Sequence, residues 1–135
     1  MGSCGDRGGP TERLAYVVDD EVVICRFMAA MLASLGVKSE TFHTAKEALA
    51  SLDRCRPAVI FLDIALKQSD AIDVVHGLSA LHYTGAIHLM SGNPSLLEAV
   101  HRIGTREGLN FGAPLHKPFR REAIAAIVAT MVAAQ

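Results

Sequence analysis

Val59-Ile60-Phe61-Leu62-Asp63 is the stretch on which the reading of this chain turns. Four apolar residues without alternation describe a strand buried on both faces. The run ends on a carboxylate, so a charge sits where the strand leaves its sheet. Open parallel sheets carry their ligand sites at the carboxyl ends of the strands. Asp63 is therefore the first candidate functional residue, and the rest of the chain is read outward from it.

Upstream, residues 14–18 form a second apolar run, ending in Asp19-Asp20-Glu21. Ile24, Met28, Met31 or Leu32, and Leu35 then recur at helical spacing, with Gly36 as the stop. Residues 37–42 are rich in β-branched and aromatic side chains and read as a strand. Thr44 to Glu47 matches a capping box for a helix reaching about Arg54, and Pro57 follows its end. Downstream of Asp63, residues 67–70 are a polar loop, in which Ser69 or Asp70 caps a helix carrying Ile72, Val75, Leu78 and Leu81. Residues 86–90 form a fourth strand. Asn93-Pro94 opens a helix with Leu96, Leu97, Val100 and Ile103, stopped by Gly108. Residues 111–116 are a short last strand, placed at a sheet edge because Pro114 has no N–H to donate. Residues 119–132 are the last helix, with Ile124, Ile127 or Val128, and Met131 facing inward.

Five strands alternating with five helices imply an α/β fold with a parallel sheet, helices on both faces and right-handed crossovers. The 135 residues suit one domain, over residues 13–135, after a disordered tail over residues 1–12. A formal charge of −1 gives no reason to bind nucleic acid or an anionic membrane. Trp is absent and aromatics are few, so base stacking is not expected. Cys4, Cys25 and Cys55 show no paired spacing, which speaks for reduced thiols in a cytoplasmic protein. No apolar run approaches the roughly 20 residues of a bilayer span, and no secretory signal is visible.

The strand ends share a character. They carry Asp19-Asp20, Asp63, Ser91 and Lys117. In a parallel sheet these ends lie on one rim, so three carboxylates, a hydroxyl and an ammonium converge. Crowded carboxylates repel unless a cation intervenes, and hard oxygen donors suit Mg²⁺, with Mn²⁺ as a substitute. Lys117 and the Ser91 hydroxyl can meet phosphoryl oxygens, which is equipment for phosphoryl transfer with Asp63 as nucleophile.

With these pieces in place the chain resembles the receiver domains of two-component response regulators, the CheY-like superfamily. The resemblance rests on Val17-Val18-Asp19-Asp20-Glu21, Ile60-Phe61-Leu62-Asp63, Met90-Ser91-Gly92 and His116-Lys117-Pro118-Phe119, in that order and across residues 14–134. It implies a flavodoxin-like (βα)5 three-layer sandwich with strand order 2-1-3-4-5. It implies phosphorylation of Asp63 by a histidine kinase or a histidine phosphotransfer protein. Mg²⁺ would be held by Asp20, Asp63 and the backbone carbonyl of Ala65, with Asp19 acting through water. Ser91 and Lys117 would bind the phosphoryl group, Gly92 would follow the hydroxyl, and the Lys117-Pro118 bond would be cis. An output domain or a downstream protein would read the fourth helix, fifth strand and fifth helix, a face that can also pair two copies.

The sequence departs from that family in three places. Pro114 stands where receivers carry a switch aromatic, the Pro-Gly turn after the phosphoacceptor is replaced by residues 66–70, and the last crossover is long. These features resemble receivers attached to EAL-type cyclic-di-GMP phosphodiesterase outputs. Two other readings compete. A degenerate receiver would bind proteins without phosphorylation. An Asp-nucleophile phosphatase would want a second acid at position 65, where alanine stands. Singly, each acid could be only a helix cap: Glu21 reads as first-turn decoration, Asp70 and Asp73 as cap and first turn. The six histidines show no ligand spacing and read as surface or partly buried.

Overall fold

A computed structural model describes residues 11–66 and 71–133. Residues 1–10 of the expected tail, Cys4 among them, and the cap expected at Ser69 or Asp70 lie outside the described residues; Thr11 and Glu12, also placed in that tail, instead open the first strand. In order, the elements are β1 (Thr11–Val18), α1 (Val22–Ser34), β2 (Lys38–Phe42), α2 (Ala45–Ser51), β3 (Pro57–Asp63), α3 (Ala71–Ala80), β4 (Ala86–Ser91), α4 (Pro94–Arg106), β5 (Asn110–Phe111), β6 (Leu115–His116) and α5 (Arg121–Ala133). Every pairing is parallel. The strand order is β2-β1-β3-β4-β5, and β6 also pairs with β4. This is the flavodoxin-like order 2-1-3-4-5, with the fifth position shared by two short pieces.

The three layers follow from side-chain alternation on the central strands, whose stretches over residues 14–18 and 57–62 lack charged positions. Ala15, Val17, Val59 and Phe61 enter a core with Cys25, Met28 and Leu32 of α1 and Ile124, Ile127 and Val128 of α5. Their neighbours Leu14, Tyr16, Val18, Ile60 and Leu62 point the other way, to α2, α3 and α4 through Ala48, Val74, Leu78, Leu97 and Val100. A one-residue slip of β1 or β3 would exchange these sets, so both cores specify the register. The two buried tyrosines keep their hydroxyls satisfied. Tyr16 donates to Cys55 O at 2.6 Å and Tyr83 donates to Pro57 O at 2.9 Å.

Helix ends fall where local chemistry places them. Thr44 Oγ1 accepts from the Glu47 N–H at 3.2 Å, and Asn93 Oδ1 accepts from the Leu96 N–H at 3.1 Å with Pro94 behind it. Gly36 and Gly108 follow α1 and α4 with φ of 82° and 87°, the left-handed turn that glycine takes without penalty. His82 holds the same conformation after α3, with φ of 56°. There Arg56 donates to the last carbonyls, at 2.8 Å to Leu81 O and 3.3 Å to His82 O.

The last strand differs from the expectation of one continuous run over residues 111–116. Ile87 is opposite Phe111 but Met90 is opposite Leu115, so the pairing offset grows by one residue across the break. Pro114 has no N–H to offer β4 at this place, and a bulge absorbs the extra residue. His88 fills the gap from below: its Nδ1–H donates to Ala113 O at 2.6 Å while its ring stacks on Phe61. A Cβ at Gly112 would overlap that ring, so glycine is required for the close approach. His88 is buried, which disfavours its charged form and lowers its pKa, although the hydrogen bond to Ala113 opposes the shift.

Candidate functional site

The carboxyl rim of the sheet gathers the acids. Asp19 follows β1 and is fully buried, at 0 % exposure, while Asp63 closes β3 at 3 %. Asp20 joins them, and one carboxylate oxygen from each of the three lies within 4.8 Å of the others. The order β1-β3 makes this possible, because the two neighbouring strands end side by side with Val18 opposite Leu62.

Lys117 comes to the same point from just beyond β6. Its backbone N–H donates to Ser91 O at 2.9 Å, fixing where the side chain starts. The Lys117–Pro118 peptide bond is cis. Lys117 Nζ donates to Asp19 Oδ2 at 2.9 Å and lies 3.6 Å from Asp63 Oδ2 and 3.6 Å from Glu21 Oε1. Desolvation alone would lower the lysine pKa, but the Asp19 hydrogen bond and the charges of Asp63, Asp19 and Glu21 outweigh it and raise the value.

Asp63 has the opposite problem. Burial pushes its pKa from 3.8 to about 6, and the Asp19 charge adds to that rise. The Ala65 N–H, which donates to Asp63 Oδ1 at 3.0 Å, and the Lys117 charge pull it back only in part. Asp63 is thus a poorly neutralised carboxylate, of the kind that gains from a nearby cation.

Asp19 is occupied on every side. Oδ1 accepts from the Glu21 N–H at 2.9 Å and Oδ2 from Lys117. Its backbone N–H donates to Phe42 O at 3.0 Å. Its carbonyl accepts from the Cys25 thiol at 3.2 Å and from His43 Nδ1 at 3.1 Å. Cys25 is a buried, inert thiol, its pKa pushed up to about 11, chiefly by desolvation and then by the Asp19 charge.

Ser91 is buried at the end of β4, but its hydroxyl accepts from the Asn93 N–H at 2.8 Å and so serves the turn into α4. At Gly92 an added Cβ would meet only Lys117 O at 3.8 Å, so packing alone does not demand glycine there. Glu21 is the N-cap residue of α1 without a side-chain cap, and its carboxylate turns to Lys117 instead of decorating the first turn. Sequence spacing could not have found that contact, nor the one from His43, since both cross between elements.

The family model described as the response regulator receiver domain matches residues 15–129. The nitrogen assimilation regulatory protein NtrX of Azorhizobium caulinodans is 31% identical over 113 residues, covering 82% of this chain and 24% of that protein. The response regulator protein TmoT of Ectopseudomonas mendocina is 24% identical over 119 residues, covering 88% of this chain and 52% of the relative. The chain therefore spans between a quarter and a half of these curated relatives. A solved response regulator from Colwellia psychrerythraea superposes with a TM-score of 0.77 at 22% identity, over 93% of this chain and 100% of the other, which shows the common fold.

Proposed function

The chain belongs to the response regulator receiver domain family, and on that premise we propose that Asp63 is the phosphoacceptor of a Mg²⁺-dependent signalling module. The observation that carries this reading is the crowding of three carboxylates within 4.8 Å around an Asp63 whose pKa is raised to about 6. The donor set is hard oxygen throughout, which fits Mg²⁺ and suits neither zinc nor a soft metal. Asp20, Asp63 and the Ala65 carbonyl would hold it, with Asp19 acting through water. The ion supplies neutralisation of phosphoryl oxygens.

The residues of the chain do the rest. A carboxylate oxygen of Asp63 attacks the phosphorus of a phosphohistidine on a kinase or phosphotransfer partner. The P–N bond breaks, and the imidazole leaves and regains a proton from solvent. Lys117 is within reach of Asp63 and offsets the charge gathering on the transferred group. Ser91 accepts from the Asn93 N–H through a lone pair, and its own O–H remains a donor that can turn to a phosphoryl oxygen. Ala65 offers no side-chain acid or base at the position an aspartate-based phosphatase needs, so the reading is an acceptor rather than a turnover enzyme. An output domain or downstream protein would read α4, the split fifth strand and α5.

The test is labelling with acetyl phosphate and Mg²⁺, read by intact mass. One phosphoryl group on the wild type, absent from Asp63→Asn and abolished by chelator, is the expected result. An unmodified wild type, or an Asp63→Asn chain that labels equally, overturns the assignment.

A further inference from the structure

We propose that His43 is a positioning residue for the acidic site: its imidazole, together with the Cys25 thiol, anchors the backbone carbonyl of Asp19 and so aims the Asp19 carboxylate. The proposal deepens the metal-dependent reading above, because the carboxylate it orients belongs to the cation-binding cluster.

The contacts make a closed frame around one residue. The Asp19 carbonyl has two acceptor lone pairs, and two side chains reach it, Cys25 Sγ at 3.2 Å and His43 Nδ1 at 3.1 Å. A carbonyl can only accept, so Nδ1 carries the imidazole proton. The two donors sit side by side, 3.8 Å apart. They come from different directions: Cys25 from the buried face of α1, His43 from the exposed link between β2 and α2. The Asp19 N–H is tied to Phe42 O at 3.0 Å, so both backbone groups of Asp19 are held by the end of β2. With the peptide planes fixed on either side, the Asp19 side chain starts from a set position and reaches the Glu21 N–H and Lys117 Nζ, each at 2.9 Å. Removing the imidazole frees one of the two anchors and lets that carboxylate swing.

His43 is exposed, so its replacement leaves both cores intact. The experiment compares wild type, His43→Ala and His43→Asn, the last retaining a side-chain N–H donor. In metal-free protein, amide exchange at Glu21 reports the bond to Asp19 Oδ1 directly. In Mg²⁺ titrations by calorimetry, the dissociation constant reports the assembled site. Expected results are several-fold faster Glu21 exchange and about 3- to 10-fold weaker Mg²⁺ binding in His43→Ala, partial recovery in His43→Asn, and no further loss when His43→Ala is added to Asp19→Asn. Unchanged Glu21 exchange in His43→Ala overturns the proposal. So does a weakening of Mg²⁺ binding that persists in full in the Asp19→Asn background. A wild type that binds no Mg²⁺ while Glu21 exchange still responds to His43→Ala would overturn the metal reading and leave the positioning role standing.

Discussion

Lys117 and Asp19, 98 positions apart in the chain, form the shortest ion pair of the site, at 2.9 Å. That pairing decides how charge is distributed on the rim. Among the described residues, the ammonium gathered here is that of Lys117, which satisfies the fully buried Asp19 and stands 3.6 Å from Asp63. The positive charge is therefore largely committed, and Asp63 remains the carboxylate with most to gain from a further cation.

Asp63→Asn should stabilise the metal-free protein at neutral pH. The Asp63 pKa is raised on folding, from 3.8 to about 6, so the folded state binds the proton more tightly. The associated stability is complete below 3.8 and is lost as pH rises through about 6. A shift of that size corresponds to about 3 kcal/mol as an upper bound, and roughly 1–3 kcal/mol is expected for the amide. Urea melts at pH 7 and at pH 3.5 test it: the advantage of Asn should be present at the first and nearly gone at the second.

Lys117→Met should act in the opposite sense on the same group. The Lys117 charge lowers the Asp63 pKa, so its removal drives that pKa above its present value of about 6. The same change strips the buried Asp19 of its counter-charge, at a cost of about 1–3 kcal/mol. Carboxyl-carbon NMR titration of Asp63 and a chemical melt measure the two effects separately. A downward shift of the Asp63 pKa would contradict the geometry.

Mg²⁺ should stabilise the fold in proportion to its saturation. At a hundred times the dissociation constant, linkage gives about 2.7 kcal/mol. The gain should shrink as pH falls below about 6, where Asp63 takes up a proton and competes with the ion. Thermal melts with Mg²⁺ and with chelator, across that pH interval, provide the check. Asp63→Asn should lose most of the gain.

Gly104→Ala should destabilise the α4 side of the sheet although it replaces a helical glycine by the best helix former. A Cβ there would overlap the Phe111 ring, and Phe111 lies on β5, packed against the adjoining core. The helical preference favours alanine by about 1 kcal/mol, while overpacking costs about 1–3 kcal/mol, so a net loss is expected. Phe111→Leu in the same background should recover part of it. A more stable Gly104→Ala chain would show that Phe111 moves aside freely.

Local pattern alone accounts for a large part of this molecule. The non-alternating runs of β1, β3 and β4 can satisfy their side chains only between two helical layers, so the fold class is implicit in them. Thr44, Asn93-Pro94, Gly36 and Gly108 act within a few residues of themselves, and their helix ends are readable for that reason. The acids and the lysine at strand ends are visible in the same way, since a parallel sheet collects its carboxyl ends on one rim. Contacts between elements are another matter. Whether Lys117 pairs with Asp19 or Asp63 depends on ångström differences across the sheet. Glu21 turns to Lys117 and His43 reaches the Asp19 carbonyl, neither of which any residue spacing encodes. Where the fifth strand divides, the His88 ring of the neighbouring strand lies against Gly112 and its Nδ1–H donates to Ala113 O. Such choices are made by hydrogen bonds and overlaps between groups distant in the chain, and they exist only once the sheet has brought those groups together.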